Sequence, residues 1–259
     1  CWDVDGNEYV DFVNALCSVN LGHCDPDVSR AVREQLEKGT IFSLPHPLEM
    51  QLASKLVELL PNAEMVRFGK NGSDATSAAV RIARAATGKD HIACCGYHGW
   101  QDWYIGATTR NLGVPKAVQE LTHKFEYNNI DSLHRIFTEH PGQIATVIME
   151  PMNTTEPRAG FLEEVKALAH KNGALFILDE TITGFRYALG GAQELFGIEA
   201  DLSTYGKGIA NGYPLSAIVG SEKYMHLMED IFFSSTFAGA TLSLAAAVAT
   251  LQKLQSQTL

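Results

Sequence analysis

From Val66 onward, short apolar runs suited to strands alternate with helical stretches, and that rhythm restricts the fold more than any other feature of the chain. The runs at 66–68, 92–95, 145–149 and 174–178 are three to five residues long. Helices are predicted between them at 74–86, closed by Gly88, and at 162–171, closed by Gly173. A chain that alternates in this way builds right-handed βαβ crossovers and a mostly parallel sheet covered by helices. The fold class is therefore α/β. In such sheets ligands lie beyond the carboxyl ends of the strands, so the chemistry is sought where each run stops.

The chain before Val66 reads differently. Apolar and polar residues alternate around Asp5-Gly6-Asn7, a hairpin signal because Asp-Gly tolerates the positive φ of a tight turn. A first helix has Asp25 as N-cap and Pro26 at its first position, with Val28, Val32 and Leu36 on one face and Gly39 as terminator. A second runs over about 47–60, with Leu48, Leu52, Leu56 and Leu59 facing inward and Pro61 stopping it. No internal repeat or linker divides the chain. The first residue is Cys1 and the text starts inside a strand-like run, so the sequence is expected to be a segment of a longer protein.

Composition excludes several functions. With 30 acidic against 20 basic side chains in 259 residues, and no Lys/Arg run, the chain lacks the clustered basic face that nucleic-acid binding needs. The apolar stretches at 174–178 and 242–251 are too short or interrupted to span a bilayer. Five cysteines without framework spacing fit a reduced, cytoplasmic compartment rather than a disulfide scaffold.

Four segments at strand ends carry candidate chemistry. The run Ala174-Leu175-Phe176-Ile177-Leu178 leads directly into Asp179-Glu180, which is either a capped or salt-bridged acid at a solvated edge or a buried carboxylate holding a cationic group. Lys207 stands in Tyr205-Gly206-Lys207-Gly208, where the flanking glycines let a ligand approach the backbone while the ammonium enters a cavity; a surface lysine in a loop is the alternative. A Walker-type loop is excluded, because the positions that must be Gly and Ser/Thr hold Asp201 and Gly208. Asn71-Gly72-Ser73-Asp74 opens a helix, where free N–H groups and a hydroxyl suit a phosphate, although plain N-capping by Asn71 or Ser73 is the simpler reading of this segment by itself. No GxGxxG fingerprint marks a dinucleotide site. Tyr97-His98-Gly99-Trp100 offers aromatics that either stack on a planar ring or pack at a contact. His91, Cys94, Cys95 and His98 superficially form a zinc set, but alternate strand residues point to opposite faces, so no metal is expected there.

Taken together, the segments resemble the class III aminotransferases of pyridoxal 5'-phosphate (PLP) fold type I, in particular glutamate-1-semialdehyde 2,1-aminomutase and its relatives. The carriers include Leu21-Gly22-His23, Asn71-Gly72-Ser73-Asp74-Ala75, Tyr97-His98-Gly99, Glu150-Pro151, Asp179-Glu180 with Thr183-Gly184-Phe185-Arg186, Gly206-Lys207 and Ser235-Thr236-Phe237. The resemblance implies that Lys207 carries PLP as an internal aldimine and shuttles a proton, while Asp179 pairs with the ring nitrogen. It further implies that Asn71, Gly72 and Ser73 bind the phosphate and that Tyr97 stacks on the ring. Thr181, where the family usually has Val, lies on the other face, and Asn153 meets the ring 3-oxygen. Thr236 reaches the neighbouring subunit's cofactor in a homodimer. The substrates implied are small-molecule amino donors and acceptors. Leu16 replaces a Trp found near the aminomutase substrate, so an aminotransferase, including one acting on a keto-sugar, and a catalytically impaired binding domain stand beside the aminomutase. The expected organisation is an N-terminal segment over 1–45, a PLP-binding large domain over 46–259, and a C-terminal small domain outside this chain.

Overall fold

The structure, a computed structural model, describes residues 1–257; the last two positions of the 46–259 segment lie outside the described residues. Seven strands form one sheet: β1 (Met65–Gly69), β2 (His91–Cys95), β3 (Thr122–Lys124), β4 (Ile144–Met149), β5 (Leu175–Asp179), β6 (Leu202–Tyr205) and β7 (Ser216–Gly220). Their order is β1-β7-β6-β5-β4-β2-β3. The pairs β2–β3, β2–β4, β4–β5 and β5–β6 are parallel, and β7 runs antiparallel to both β6 and β1. Because β7 reverses between them, β1 points the same way as β6. All strands but β7 therefore end at one edge of the sheet.

Three of these strands lie where no strand is predicted. β3 is three residues long and polar, below the length at which a pattern is legible. β6 reads as part of the loop around Lys207 because of its hydroxyls, yet Ser203 and Thr204 are wholly buried. Their Oγ atoms donate to Asn62 Oδ1 at 3.0 Å and Asp179 Oδ1 at 3.0 Å, which satisfies the cost of taking polar groups out of water. The predicted strands at 66–68, 92–95, 145–149 and 174–178 all appear, shifted by a residue or two.

Alternation along the central strands sorts their side chains between two layers. Ile92, Cys94, Ile148 and Ile177 face the helix Gly72–Thr87, through Ala75, Ala79 and Ile82. Ala93, Val147, Met149, Phe176 and Leu178 face the opposite way, onto Leu133 and Phe137 of Ile130–Glu139 and onto Phe161, Leu162 and Val165 of Phe161–Lys171. Burial pushes the thiols of Cys94 and Cys95 up to about 12. A third cluster joins Leu52 and Leu56 of the helix Pro47–Leu59 to Val28 and Val32 of Pro26–Leu36 and to Leu244 and Leu251 of Thr241–Ser256. Among the described residues no helix is long and apolar enough to cross a membrane.

The helix ends follow the sequence closely. Asp25 caps Pro26–Leu36 by accepting from the N–H groups of Asp27 and Val28, both at 3.1 Å. Gly88 ends Gly72–Thr87 in the left-handed conformation, φ +66°. Leu36 departs from expectation: it is exposed, while Gln35 is buried and donates its amide to the Gly39 carbonyl at 3.0 Å. Positions four apart drift around a helix of 3.6 residues per turn, so the third member of the 28-32-36 series has turned off the core. At the N-terminus the predicted hairpin forms as a single antiparallel bridge, Trp2 to Glu8, with Asp3 Oδ1 accepting from the backbone of Asp5 and Asn7.

Asp25 also pairs with Lys253 at 2.6 Å, tying the first helix to Thr241–Ser256. Asp25→Ala is expected to destabilise the protein by about 1–2 kcal/mol, the usual cost of a lost cap. Asp25→Asn keeps a cap acceptor and should recover most of that loss. Urea denaturation of the two variants against the parent checks both outcomes.

Candidate active site

At the carboxyl edge of the sheet lies a cavity of about 570 Å³, lined among others by Gly72, Ser73, Tyr97, His98, Glu150, Asp179, Thr181 and Lys207. Each comes from a strand end. Gly72 and Ser73 open the helix that follows β1, and Tyr97 and His98 follow β2 by two and three residues. Glu150 directly follows β4, Asp179 is the last residue of β5, and Lys207 lies two residues beyond β6.

Asp179 organises the floor. It is 3% exposed and accepts hydrogen bonds on both carboxylate oxygens. Oδ1 accepts from the Thr181 N–H at 3.1 Å, the Thr181 hydroxyl at 2.6 Å and the Thr204 hydroxyl at 3.0 Å. Oδ2 meets His98 Nδ1 at 2.8 Å. Burial favours the protonated carboxyl, but the hydrogen bond and positive charge of His98, with the bonds from Thr181, outweigh it and hold the pKa below the ordinary carboxylate value. His98 is buried and its other nitrogen, Nε2, meets the Cys95 carbonyl at 3.1 Å. A carbonyl and an ionised carboxylate have no proton to give, so both ring nitrogens donate. Trp103 stacks on the imidazole and Tyr104 meets it edge-on. Thr76 fixes its backbone by donating to the His98 carbonyl at 2.9 Å.

The neighbouring Glu180 has a different task. It faces away from the cavity and accepts from the N–H groups of Ala192 and Gln193, at 2.9 and 2.8 Å, and from the Thr183 hydroxyl. The two carboxylates after the apolar run thus divide: one faces the cavity and the other pins the segment Gly191–Phe196. Glu150 Oε2 accepts from the Tyr97 N–H at 2.9 Å and from Asn153 Nδ2 at 3.1 Å. Burial raises the Glu150 pKa more than these bonds lower it. Gly96 makes the arrangement possible: its φ is +105°, and a Cβ there would stand 2.5 Å from Glu150 Oε2.

Lys207 opens a 3-10 turn, Lys207–Ala210, with φ +41°. A non-glycine residue adopts that conformation at a cost of about 1–2 kcal/mol, and such strain is typical of positions fixed for function. Gly206 before it and Gly72 across the cavity both lie against the Thr181 methyl: a Cβ on either would approach Thr181 Cγ2 to 3.2 and 3.1 Å. The Thr181 hydroxyl is turned to Asp179, leaving the methyl to the cavity side.

A sequence profile of the family described as Aminotransferase class-III matches residues 1–259. The chain belongs to the class-III aminotransferase family. Among curated members it is 43% identical over 261 residues to the 3-aminobutyryl-CoA aminotransferase of Cloacimonas acidaminovorans, covering 98% of this chain and 62% of that protein. It is 38% identical over 275 residues to the glutamate-1-semialdehyde 2,1-aminomutase of Hyperthermus butylicus, covering 99% and 65%. Among solved structures it superposes with TM-score 0.92 and 33% identity on the PLP internal aldimine form of the FumI protein of Sphingopyxis sp. MTA144, covering 99% of this chain and 63% of that one. The chain spans slightly under two thirds of the length of these class-III relatives.

The class-III candidates from the sequence fall into two groups. Gly72, Ser73, Tyr97, Asp179, Thr181 and Lys207 line the one cavity. Asn71 and Asn153 are exposed and outside its lining; the Asn71 N–H donates to Asp74 Oδ2 at 2.8 Å, and Asn153 touches the cavity only through Glu150. Thr236 is exposed in a separate cavity with Arg67, Phe68 and Ser235. The roles of His98, Thr204 and Glu150 were not assigned from sequence. His98 carried a legible signal, since it follows a strand that ends at the same sheet edge as Asp179. Of the four zinc-like residues, His98 is committed to Asp179, while His91 sits at the far end of β2 beside His123 and His140. Burial and the imidazoles of His140 and His91 lower His123 to about 4.

Two outcomes follow for the floor. His98→Ala leaves the Asp179 carboxylate buried without its cationic partner, so it is expected to cost about 3–5 kcal/mol in urea unfolding. For Glu150 the pKa is raised on folding, so the native state holds its proton more tightly than the unfolded chain. Stability from this group is full below the ordinary glutamate range and falls as pH rises through the raised value. The Glu150→Gln variant should therefore lose less stability than the parent as pH rises from about 4, the ordinary glutamate value, through the raised value, as read from unfolding free energies over that interval.

Proposed function

We propose that this protein is a PLP-dependent enzyme that moves an amino group between small molecules, with Lys207 and Asp179 as its catalytic pair. The observation that carries the reading is the convergence on one cavity of a lysine, a buried ionised carboxylate and the start of a 16-residue helix. The donor set suits a phosphorylated pyridine aldehyde. A helix N-terminus with a side-chain-free Gly72 and the Ser73 hydroxyl fits a phosphate dianion. A carboxylate held below the ordinary range fits a protonated ring nitrogen, and an amine fits the aldehyde. Gly72 itself packs against Thr181, where a Cβ would stand 3.1 Å from the methyl.

When bound, the cofactor supplies an electron sink for the carbon that bears the amino group. The rest falls to the chain. Lys207 Nζ would hold the cofactor and, once free of it, would move the proton at that carbon. Asp179 keeps the ring nitrogen protonated, and His98, Thr181 and Thr204 keep Asp179 ionised and oriented. Gly72, Ser73 and the nearby Asn71 hold the phosphate. Tyr97 covers one ring face, the Thr181 methyl supports the other, and Asn153, anchored on Glu150, is assigned to the ring 3-oxygen. We further assign residues 46–259 to the cofactor-binding unit and 1–45 to an N-terminal segment. Thr236, exposed in a cavity other than the one Lys207 lines, is assigned to the neighbouring site in a homodimer. The acidic chain with scattered cysteines is assigned to the cytoplasm.

Transfer between two molecules and transfer within one are distinguished by whether turnover needs a separate amino donor; one relative is named for the former and one for the latter. Incubation with PLP followed by borohydride should fix the cofactor on a peptide containing Lys207, and mass spectrometry should find no such adduct in Lys207→Ala. Equal fixation in the variant would overturn the assignment.

A further inference from the structure

At the end of the sheet opposite the cavity, three histidines from three elements converge. His91 begins β2, His123 is the middle residue of the edge strand β3, and His140 caps the end of the helix Ile130–Glu139. β2 and β3 pair in parallel with Ala93 opposite His123, so the chain connections bring these rings together from positions 32 and 17 residues apart in sequence. His91 Nδ1 and His123 Nε2 are 2.8 Å apart. The His123 and His140 rings stack with centroids at 3.9 Å, and His91 lies 5.1 Å from each. One nitrogen from each ring falls within 4.8 Å of the other two, and all three residues are half-buried.

Hydrogen bonding accounts for only part of this. A single proton satisfies the contact between His91 and His123, and the third ring has no partner in it among the described residues. A shared ion satisfies all three lone pairs at once. Zinc binds imidazole nitrogen at about 2.0–2.1 Å, which in a tetrahedron sets the nitrogens about 3.3 Å apart. The observed spacings, from 2.8 Å to at most 4.8 Å, bracket that value, and metal binding requires the rings to rotate out of their stacked, hydrogen-bonded arrangement so that the three nitrogens aim at one ion. Imidazole donors select zinc, copper or nickel over calcium and magnesium, which take oxygen ligands.

We propose that His91, His123 and His140 form a binding site for one divalent transition-metal ion of the zinc type, remote from the Lys207 cavity, that fastens the edge strand β3 to β2 and to the end of the adjoining helix. Water completes the coordination from the solvent side. The site is independent of the cofactor reading, because none of its ligands lies in that cavity.

Titration of the full chain with Zn²⁺ by calorimetry should give one equivalent bound, and Co²⁺ should give the visible absorption of a tetrahedral site. His123→Ala and His140→Ala should each weaken Zn²⁺ binding by about tenfold or more, whereas His134→Ala, an exposed histidine on the same helix, should leave it unchanged. Zn²⁺ should also raise the melting temperature of the parent and of His134→Ala but not of the two site variants. His140 lies at a helix end rather than in the sheet, so its variant keeps the test decisive if the strand variant fails to fold. Binding that persists undiminished in His140→Ala would assign the ion to exposed thiols such as Cys1 and Cys24 and overturn the proposal. So would the absence of binding to the parent at millimolar Zn²⁺.

Discussion

The buried contact between Asp179 and His98 is the constraint around which the rest of the site is arranged. A carboxylate at the end of an apolar central strand is tolerated only with a complete set of donors, and these come from His98 after β2, Thr204 on β6 and Thr181 in the turn after β5. The Thr181 contacts are local, two residues along the chain, but those of His98 and Thr204 depend on the relative placement of parallel strands, so the sheet's register and the ionisation of Asp179 support one another. His98 in turn is held by Cys95, Thr76, Trp103 and Tyr104. Two aromatics after β2, Trp103 and Tyr104, thus cage the imidazole, while Tyr97 is left 56% exposed at the cavity and Trp100 is exposed outside its lining.

The same economy appears in the pair Asp179-Glu180. Adjacent strand-end residues face opposite sides, so one sequence motif supplies both an ionised group in the cavity and an anchor for the segment at Gly191. Their proton affinities move in opposite directions on burial: Asp179 has a cationic neighbour and is lowered, whereas burial raises Glu180 beyond what its hydrogen bonds offset. Environment, rather than residue type, separates their roles.

Much of this is legible in the sequence. The β/α rhythm identified the parallel sheet and the edge at which chemistry gathers, and Asp25, Gly88 and Gly173 marked helix ends because capping is a local effect. Asp179, Lys207, Gly72 and Ser73 were found because strand ends and helix starts are readable in one dimension. What escaped was decided by tertiary contact. β6 hides behind buried hydroxyls whose partners are remote in sequence, and β3 is too short to carry a period. Leu36 yielded its place to a glutamine that finds a carbonyl on the next loop. The three-histidine cluster was invisible for the same reason: His91, His123 and His140 share no spacing motif and meet only because β3 lies beside β2. The zinc-like reading of His91 with Cys94, Cys95 and His98 grouped residues by sequence distance, which the alternation of strand faces undoes.

The burial of Cys94 and Cys95 in β2 gives the molecule a built-in clock. With their thiols displaced to about 12, almost no thiolate exists at neutral pH while the sheet is closed, and reagents that need the anion meet Cys1 and Cys24 on the surface instead. Modification of the adjacent pair therefore records openings near one edge of the sheet, where β2 lies between β3 and β4, and its rate measures how often the strand carrying His91 at one end and leading to His98 at the other comes apart from its neighbours.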